Sequence, residues 1–195
     1  DFKHPDLAAH YAGGYNAVST STLPMDDHGH GTHVSGTIGA IRNVKGVVGV
    51  APNAKLYAVK VLDANGSGSY SNVIDGIQWA ADNGMKVINM SLGGRSGTPA
   101  LASVMTAADK AGVTIVCAAG NDSGAVNYPA KYPEAIAVSA SDSTDKIASF
   151  SSRGAEIAFI APGVNIYSSY KGAAYRTMSG TSMACHHVAG LAALA

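Results

Sequence analysis

Asp26 to His33, DDHGHGTH, brings two carboxylates and three imidazoles into one short stretch. Such a cluster has two chemical uses: it can ligate a metal ion, or one imidazole can move a proton for a nucleophile elsewhere. A nucleophile is available at Ser182, where SGTSMACHHVAG (179–190) passes from a Gly-containing turn into a helix of small residues. At a helix start the free N–H groups and the dipole favour a developing negative charge. A serine in this place also reads as a plain helix cap. A hydroxyl attacks only once a base takes its proton, and His30, between two glycines at a helix start, has room to face a cleft. His33 falls inside the helical pattern and reads as a buried, hydrogen-bonded histidine, and His28 reads as a loop residue. In CAAGND (117–122) Asn121 follows a strand end. Its amide N–H can stabilise an oxyanion there, or the residue can simply make the turn.

The elements that must position these residues alternate. LYAVKVL (56–62) reads as a buried strand, and SNVIDGIQWAADNG (71–84) as a helix with Val73, Ile77, Ala80 and Ala81 on its apolar face. KVINMSL (86–92) is the next strand. TPALASVMTAADKAG (98–112) follows as a helix, with Thr98 as N-cap, Pro99 at the first helical position and Leu101, Val104, Met105 and Ala108 facing inward. VTIVCAAG (113–120) and AIAVSA (135–140) are further strands. This order predicts an α/β fold of three layers, a mostly parallel twisted sheet with helices on both faces, in one domain. Ligands of such sheets sit beyond the carboxyl ends of the strands. GSGSY (66–70), SLGG (91–94) and AAGND (118–122) occupy those ends.

Composition narrows the function classes. Lys and Arg number 13 and so do Asp and Glu, in 195 residues, with no basic run. The charge pattern argues against a nucleic-acid footprint or a polybasic membrane patch, and no apolar segment reaches the length that spans a bilayer. The two cysteines, Cys117 and Cys185, have no metal-type spacing. They can pair, or stay as buried thiols, the favoured reading.

HGHGTHVSGT, INMSLGG, AAGN, YPAKYP and GTSMA followed by HVAG, in this order, resemble the subtilisin family of serine endopeptidases, along the whole chain. A histidine followed much later by the serine also agrees with that family's order of catalytic residues, for which subtilisin is the reference case. The resemblance implies His30 as general base, Ser182 as nucleophile and Asn121 as oxyanion donor together with the Ser182 N–H. It implies that Gly66, Ser67, Gly68 and Ser91, Leu92, Gly93 clamp a protein or peptide substrate as an added strand. Ala118, Ala119 and Gly120 would line a roomy apolar pocket that takes a large hydrophobic side chain before the scissile bond. HPDL and IRNVKGV resemble the family's structural calcium site, with ligands from the Asp6 carboxylate, the Asn43 side-chain oxygen and the carbonyls of Ile41, Lys45 and Val47. No catalytic metal is implied. A secreted monomer made with a pro-segment is the implied form.

Two departures stand out. The family's orienting aspartate opens an Asp-Thr/Ser-Gly segment, whereas Asp1 is followed by Phe2 and Lys3. The expectation is therefore a partial catalytic domain over 1–195, with that aspartate and its strand before residue 1, further elements after residue 195, and the isolated polypeptide inactive. Asp26 and Asp27 are tempting substitutes, yet their motif offers no reason to place them behind the imidazole. His186 stands where the family usually has proline, which restores an N–H and adds a titratable group near the nucleophile. Met183, beside Ser182, is expected to be a site of oxidative inactivation. Two rival readings are a peptide-binding homologue without activity and a zinc hydrolase built on HGHGTH. The zinc motif would need a carboxylate at Thr32.

Overall fold

The computed structural model describes residues 1–195. Its elements follow the chain as Tyr11–Asn16 (β1), His30–Gly39 (α1), Leu56–Lys60 (β2), Tyr70–Asp82 (α2), Val87–Met90 (β3), Pro99–Lys110 (α3), Thr114–Ala118 (β4), Ala135–Ser141 (β5), Ile157–Pro162 (β6), Ile166–Tyr170 (β7), Ala174–Met178 (β8) and Thr181–Ala192 (α4). The four runs read as strands and the helical patterns at 71–84 and 98–112 form at those places. Thr98 caps α3 by accepting from the Leu101 N–H at 3.1 Å, with Pro99 at its start. Leu101, Val104, Met105 and Ala108 are buried along its inward stripe. Each large side chain enclosed in this way stabilises the fold by roughly 1.5–3 kcal/mol.

The chain divides into two compact units, Asp1–Gly84 with Tyr167–Arg176, and Met85–Ile166 with Thr177–Ala195. In the first unit β1 pairs in parallel with β2, Tyr15 opposite Val59 and Asn16 opposite Lys60. β1 reads YAGGYN, with two glycines and weak strand propensity, so the pairing and not the local sequence makes it a strand. α2 packs on both strands, burying Val73, Ile77 and Ala80. Residues 167–176, from the hairpin of β7 and β8, hold α1. The Ser168 and Ser169 hydroxyls donate to the His33 and Thr32 carbonyls at 2.9 Å each, and they fill the space that a side chain at Gly36 would need.

In the second unit the strands run in the order β3-β4-β5-β6, all parallel. α4 packs against all four, with Met183, Ala184, Cys185, Val188 and Ala189 buried. Small residues let this helix approach the sheet closely, which puts its N-terminus near the carboxyl ends of β3 and β4. Those ends lead into Ser91–Gly93 and Ala119–Asn121, the region where ligands of parallel sheets bind.

Candidate active site

Ser182 is the second residue of α4. The helix start is tied down from the end of β4: the Asn121 side-chain oxygen accepts from the Thr181 N–H at 2.8 Å and from the Thr181 hydroxyl at 3.0 Å. The same hydroxyl accepts from the Gly120 N–H at 3.1 Å. With its oxygen engaged on the helix, the Asn121 amide keeps its NH₂ end for another partner. The Ser182 N–H donates to no other group of the protein. The Ser182 hydroxyl donates to the Ser91 carbonyl at 3.3 Å, and the Ser91 hydroxyl donates to the Ser182 carbonyl at 3.4 Å. Behind Ser91 lies Asn89, whose amide donates to the Ser91 hydroxyl at 2.9 Å and accepts from the Cys185 thiol at 3.2 Å.

Asn89 and Thr181 were not singled out from the sequence, although both carried a signal. Asn89 is a polar residue inside the apolar run VINM, where an amide must find buried partners. Thr181 sits directly between the cap and the nucleophile. Together they fix the position of Ser182 from the sheet side.

Leu92 is half-buried and Gly93 exposed, whereas Ala118 is only 5% and Ala119 0% exposed. The two alanine side chains therefore present almost no surface for a ligand. Gly120 is half-buried, its N–H held by the Thr181 hydroxyl and its carbonyl by the Ser152 N–H, and Asn121 is exposed. Met183 is 1% exposed, so peroxide reaches its thioether only if the start of α4 opens. Cys117 and Cys185 are free thiols. Burial raises Cys117 well above its ordinary value and pushes Cys185 up to about 12, which leaves both protonated and unreactive. His186 is fully enclosed within α4.

His30 belongs to the first unit and opens α1. Gly29 precedes it at φ 109, a left-handed conformation in which a side chain would collide with the Tyr170 ring. The cap comes from Asp26, whose carboxylate accepts from the N–H groups of His28 (3.0 Å), Gly29 (2.7 Å) and Thr32 (2.8 Å) and from the Thr32 hydroxyl (2.6 Å). Burial opposes ionisation of Asp26, but the bonds from the Thr32 hydroxyl and from the Gly29 and Thr32 N–H groups outweigh it and bring the carboxyl down to about 2. Asp27 pairs instead with Lys60. Burial, then the neighbouring His28 and His33, hold the half-buried His30 imidazole below its ordinary value, with Asp26 acting in the opposite direction.

His33 is fully buried, and its Nε2 bonds the Arg176 carbonyl at 3.0 Å. His28 is exposed in the loop. The side chains of DDHGHGTH thus diverge, and nowhere in the chain do three His, Cys, Asp or Glu groups converge as metal ligands. The zinc reading of this stretch loses its ligand set.

Gly66, Ser67 and Gly68, also in the first unit, lie exposed in the turn after β2. In the same unit Asp6 is 0% exposed and takes part in no ion pair. Its carboxylate accepts from Asn43 Nδ2 (2.9 Å), the Val47 N–H (3.3 Å) and the Tyr175 hydroxyl (2.9 Å). The Tyr175 phenol is pushed up to about 12 by burial and by its bond to Asp6. Residues 41–47 thus wrap a buried carboxylate so closely that a side chain at Gly46 would strike it. The groups that surround this carboxylate are all donors, and the Asn43 side-chain oxygen accepts instead from the Lys45 N–H at 2.8 Å.

The family model described as the Subtilase family matches residues 1–195. Subtilisin DY of Bacillus licheniformis is 53% identical over 98% of this chain and 71% of its own length. Subtilisin E of Bacillus subtilis (strain 168) is 52% identical over the whole chain and 52% of its own length. The chain thus spans about half the length of several curated relatives that it matches. A crystal structure of a cold adapted subtilisin-like serine proteinase covers 99% of this chain and 70% of its own, with TM-score 0.92 and 40% identity. A subtilisin-like α/β fold over the full length, with the chain-long family match, leaves one conclusion: this chain belongs to the subtilase family.

Proposed function

We propose that the chain carries the nucleophile and general base of a serine endopeptidase. The observation that carries this reading is the start of α4, where Thr181, Asn121 and Ser91 fix Ser182 while its N–H is left without a protein partner. In the proposed reaction His30 removes the proton of Ser182 Oγ as the oxygen attacks the peptide carbonyl carbon. The resulting oxyanion takes hydrogen bonds from the Ser182 N–H and Asn121 Nδ2. His30 then gives its proton to the leaving amine, and an ester on Ser182 remains. Water, deprotonated by His30, cleaves that ester and restores the serine. The lowered affinity of His30 for protons favours its neutral form, the form able to act as base.

The substrate is proposed to be an extended polypeptide, hydrogen-bonded along Gly66–Ser67–Gly68 and Ser91–Leu92–Gly93. Preference for a large apolar side chain before the scissile bond stays part of the proposal, with the backbone of Gly120 and not the methyl of Ala119 as the wall. Asp6, Asn43 and the carbonyls of Ile41, Lys45 and Val47 would hold calcium, which supplies stability and no chemistry when bound. Secretion, a pro-segment and a monomeric state complete the reading; the first is inferred from the names of the relatives, and the other two rest on the family resemblance alone.

A serine-directed fluorophosphonate, applied to the complete enzyme, tests the core of the proposal. The adduct is expected on Ser182 and is expected to disappear in Ser182→Ala. Absence of an adduct, in protein whose activity is lost to a zinc chelator, overturns it. Calcium chelation is expected to lower Tm while leaving labelling at low temperature intact.

A further inference from the structure

Ten asparagines are present, and only Asn65 and Asn83 precede glycine. The dipeptide matters because a glycine nitrogen, with no Cβ beside it, meets little steric resistance in attacking the preceding side chain. Both pairs are exposed, but their surroundings differ. Asn83 is the C-cap of α2, and its Nδ2 donates to the Trp79 carbonyl at 2.8 Å, so its side chain is held along the helix. Asn65 stands at the tip of a solvent-exposed turn closed by Asp63. The Asp63 N–H donates to the Ser67 carbonyl (2.8 Å), the Gly66 N–H to the Asp63 carbonyl (3.0 Å), and the Asn65 and Ser67 N–H groups to the Asp63 carboxylate (2.9 and 3.0 Å). The Asn65 amide reaches only that same carboxylate, within the turn. Exposed turns with such local bonding open readily.

We propose that Asn65 is a site of spontaneous covalent modification, in which the chain converts its side-chain amide to an acid within the Gly66–Gly68 segment. The Gly66 nitrogen, deprotonated by solvent base, bonds to Asn65 Cγ. The Cγ–Nδ2 bond breaks and ammonia leaves, taking up the proton it needs from water. A five-membered succinimide remains, and a water molecule opens it at either carbonyl. One opening gives aspartate; the other gives isoaspartate, with an extra backbone methylene. The net reaction consumes one water and releases one ammonia, and no redox partner is needed.

The consequence lies beside the proposed chemistry. A Cβ at Gly66 would be only 3.3 Å from His28 Nε2, and the His28 and His30 rings are 6.4 Å apart between centroids. A lengthened backbone at residue 65 therefore disturbs both the segment proposed to clamp substrate and the contact of His28 with it. The new charge also adds to that of Asp63. This functional part rests on the endopeptidase reading; the modification itself does not.

The test separates the two. The full chain with Ser182→Ala, which prevents self-digestion, is aged at neutral and alkaline pH and mapped by peptide mass spectrometry. Conversion at Asn65 is expected to outpace that at Asn83 by about tenfold, a barrier difference of about 1.4 kcal/mol, and to quicken with pH. An unchanged Asn65, or Asn83 reacting first, overturns the site. In active protein, ageing is expected to raise KM with kcat held, and Asn65→Ser is expected to abolish the rise. Conversion at Asn65 with no change in KM overturns the link to substrate binding, whereas loss of the endopeptidase reading is diagnosed independently by the fluorophosphonate.

Discussion

Helix α1 begins at His30 and α4 one residue before Ser182, both residues to which chemistry is assigned, and their N-termini are completed in opposite ways. α1 is closed by a carboxylate: Asp26 gathers three N–H groups and a hydroxyl, so the positive end of the helix dipole meets a full negative charge. α4 is closed by the neutral amide of Asn121, and the Ser182 N–H still points to no protein acceptor. The first arrangement stabilises the protein on its own. The second leaves the helix end able to stabilise a charge that arrives only during reaction. A helix N-terminus can thus support structure or chemistry, and the charge of its cap decides which.

The sharpest way to break this contrast is Ser182→Ala, which should leave the fold intact and reduce kcat by about 10⁶-fold, a figure established for subtilisin itself and not calculated from this chain. Titrating the labelling and hydrolysis of the variant against the parent checks it. Next, Asn121→Ala removes both the oxyanion donor and the cap. A fall in kcat of about 10²–10³-fold is expected, again a value belonging to subtilisin's own donor, with KM little changed. Loss of the cap should also cost about 1 kcal/mol of stability. A variant that lost stability alone would reduce Asn121 to a capping residue.

At α1 the expected effect is on stability. The Asp26 carboxyl is depressed in the folded protein, so its contribution is fully present above the unfolded value of about 3.9 and is lost as pH falls toward about 2. The shift corresponds to about 2 kcal/mol. Asp26→Asn should therefore lower Tm by about 4–8 °C at neutral pH, and the deficit should shrink in acid below about pH 3. A deficit that persisted unchanged into acid would assign the loss to packing. The smallest effect belongs to His28. Replacing it by Gln removes one of the neighbours that hold His30 below its ordinary value. The acid limb of kcat/KM, expected below the ordinary histidine value of about 6.5, should then move upward by a fraction of a pH unit.

Much of the architecture was legible because its signals are local. Thr98, Pro99 and the stripe from Leu101 to Ala108 are near neighbours that specify one helix, and they form it. In the second unit β3, β4 and β5 declare themselves as apolar runs with β-branched residues, whereas nothing in the sequence reading marks β6. β1 was missed because YAGGYN becomes a strand only beside β2. The family resemblance implies Ala119 as pocket lining, but enclosure depends on what packs over it, and the Asn127 N–H bonds its carbonyl from another loop. The placement of His33 in the core was read correctly, yet its partner, the Arg176 carbonyl, comes from far along the chain.

By itself the sequence determined the kind and order of the main elements, the ends of the helices α2 and α3, and the residue types available at His30, Asn121 and Ser182. Tertiary structure alone decided how they are used. It paired Asp27 with Lys60, kept Cys117 and Cys185 as separate buried thiols, and set the Asn121 oxygen on Thr181 and the Ser182 hydroxyl on Ser91. The physical reason is range. Propensity and capping act between residues a few positions apart, whereas the bonds that assign roles here join residues 60, 91 and 143 positions apart. DDHGHGTH looked like a metal cluster for as long as its side chains had no directions. The fold supplies them.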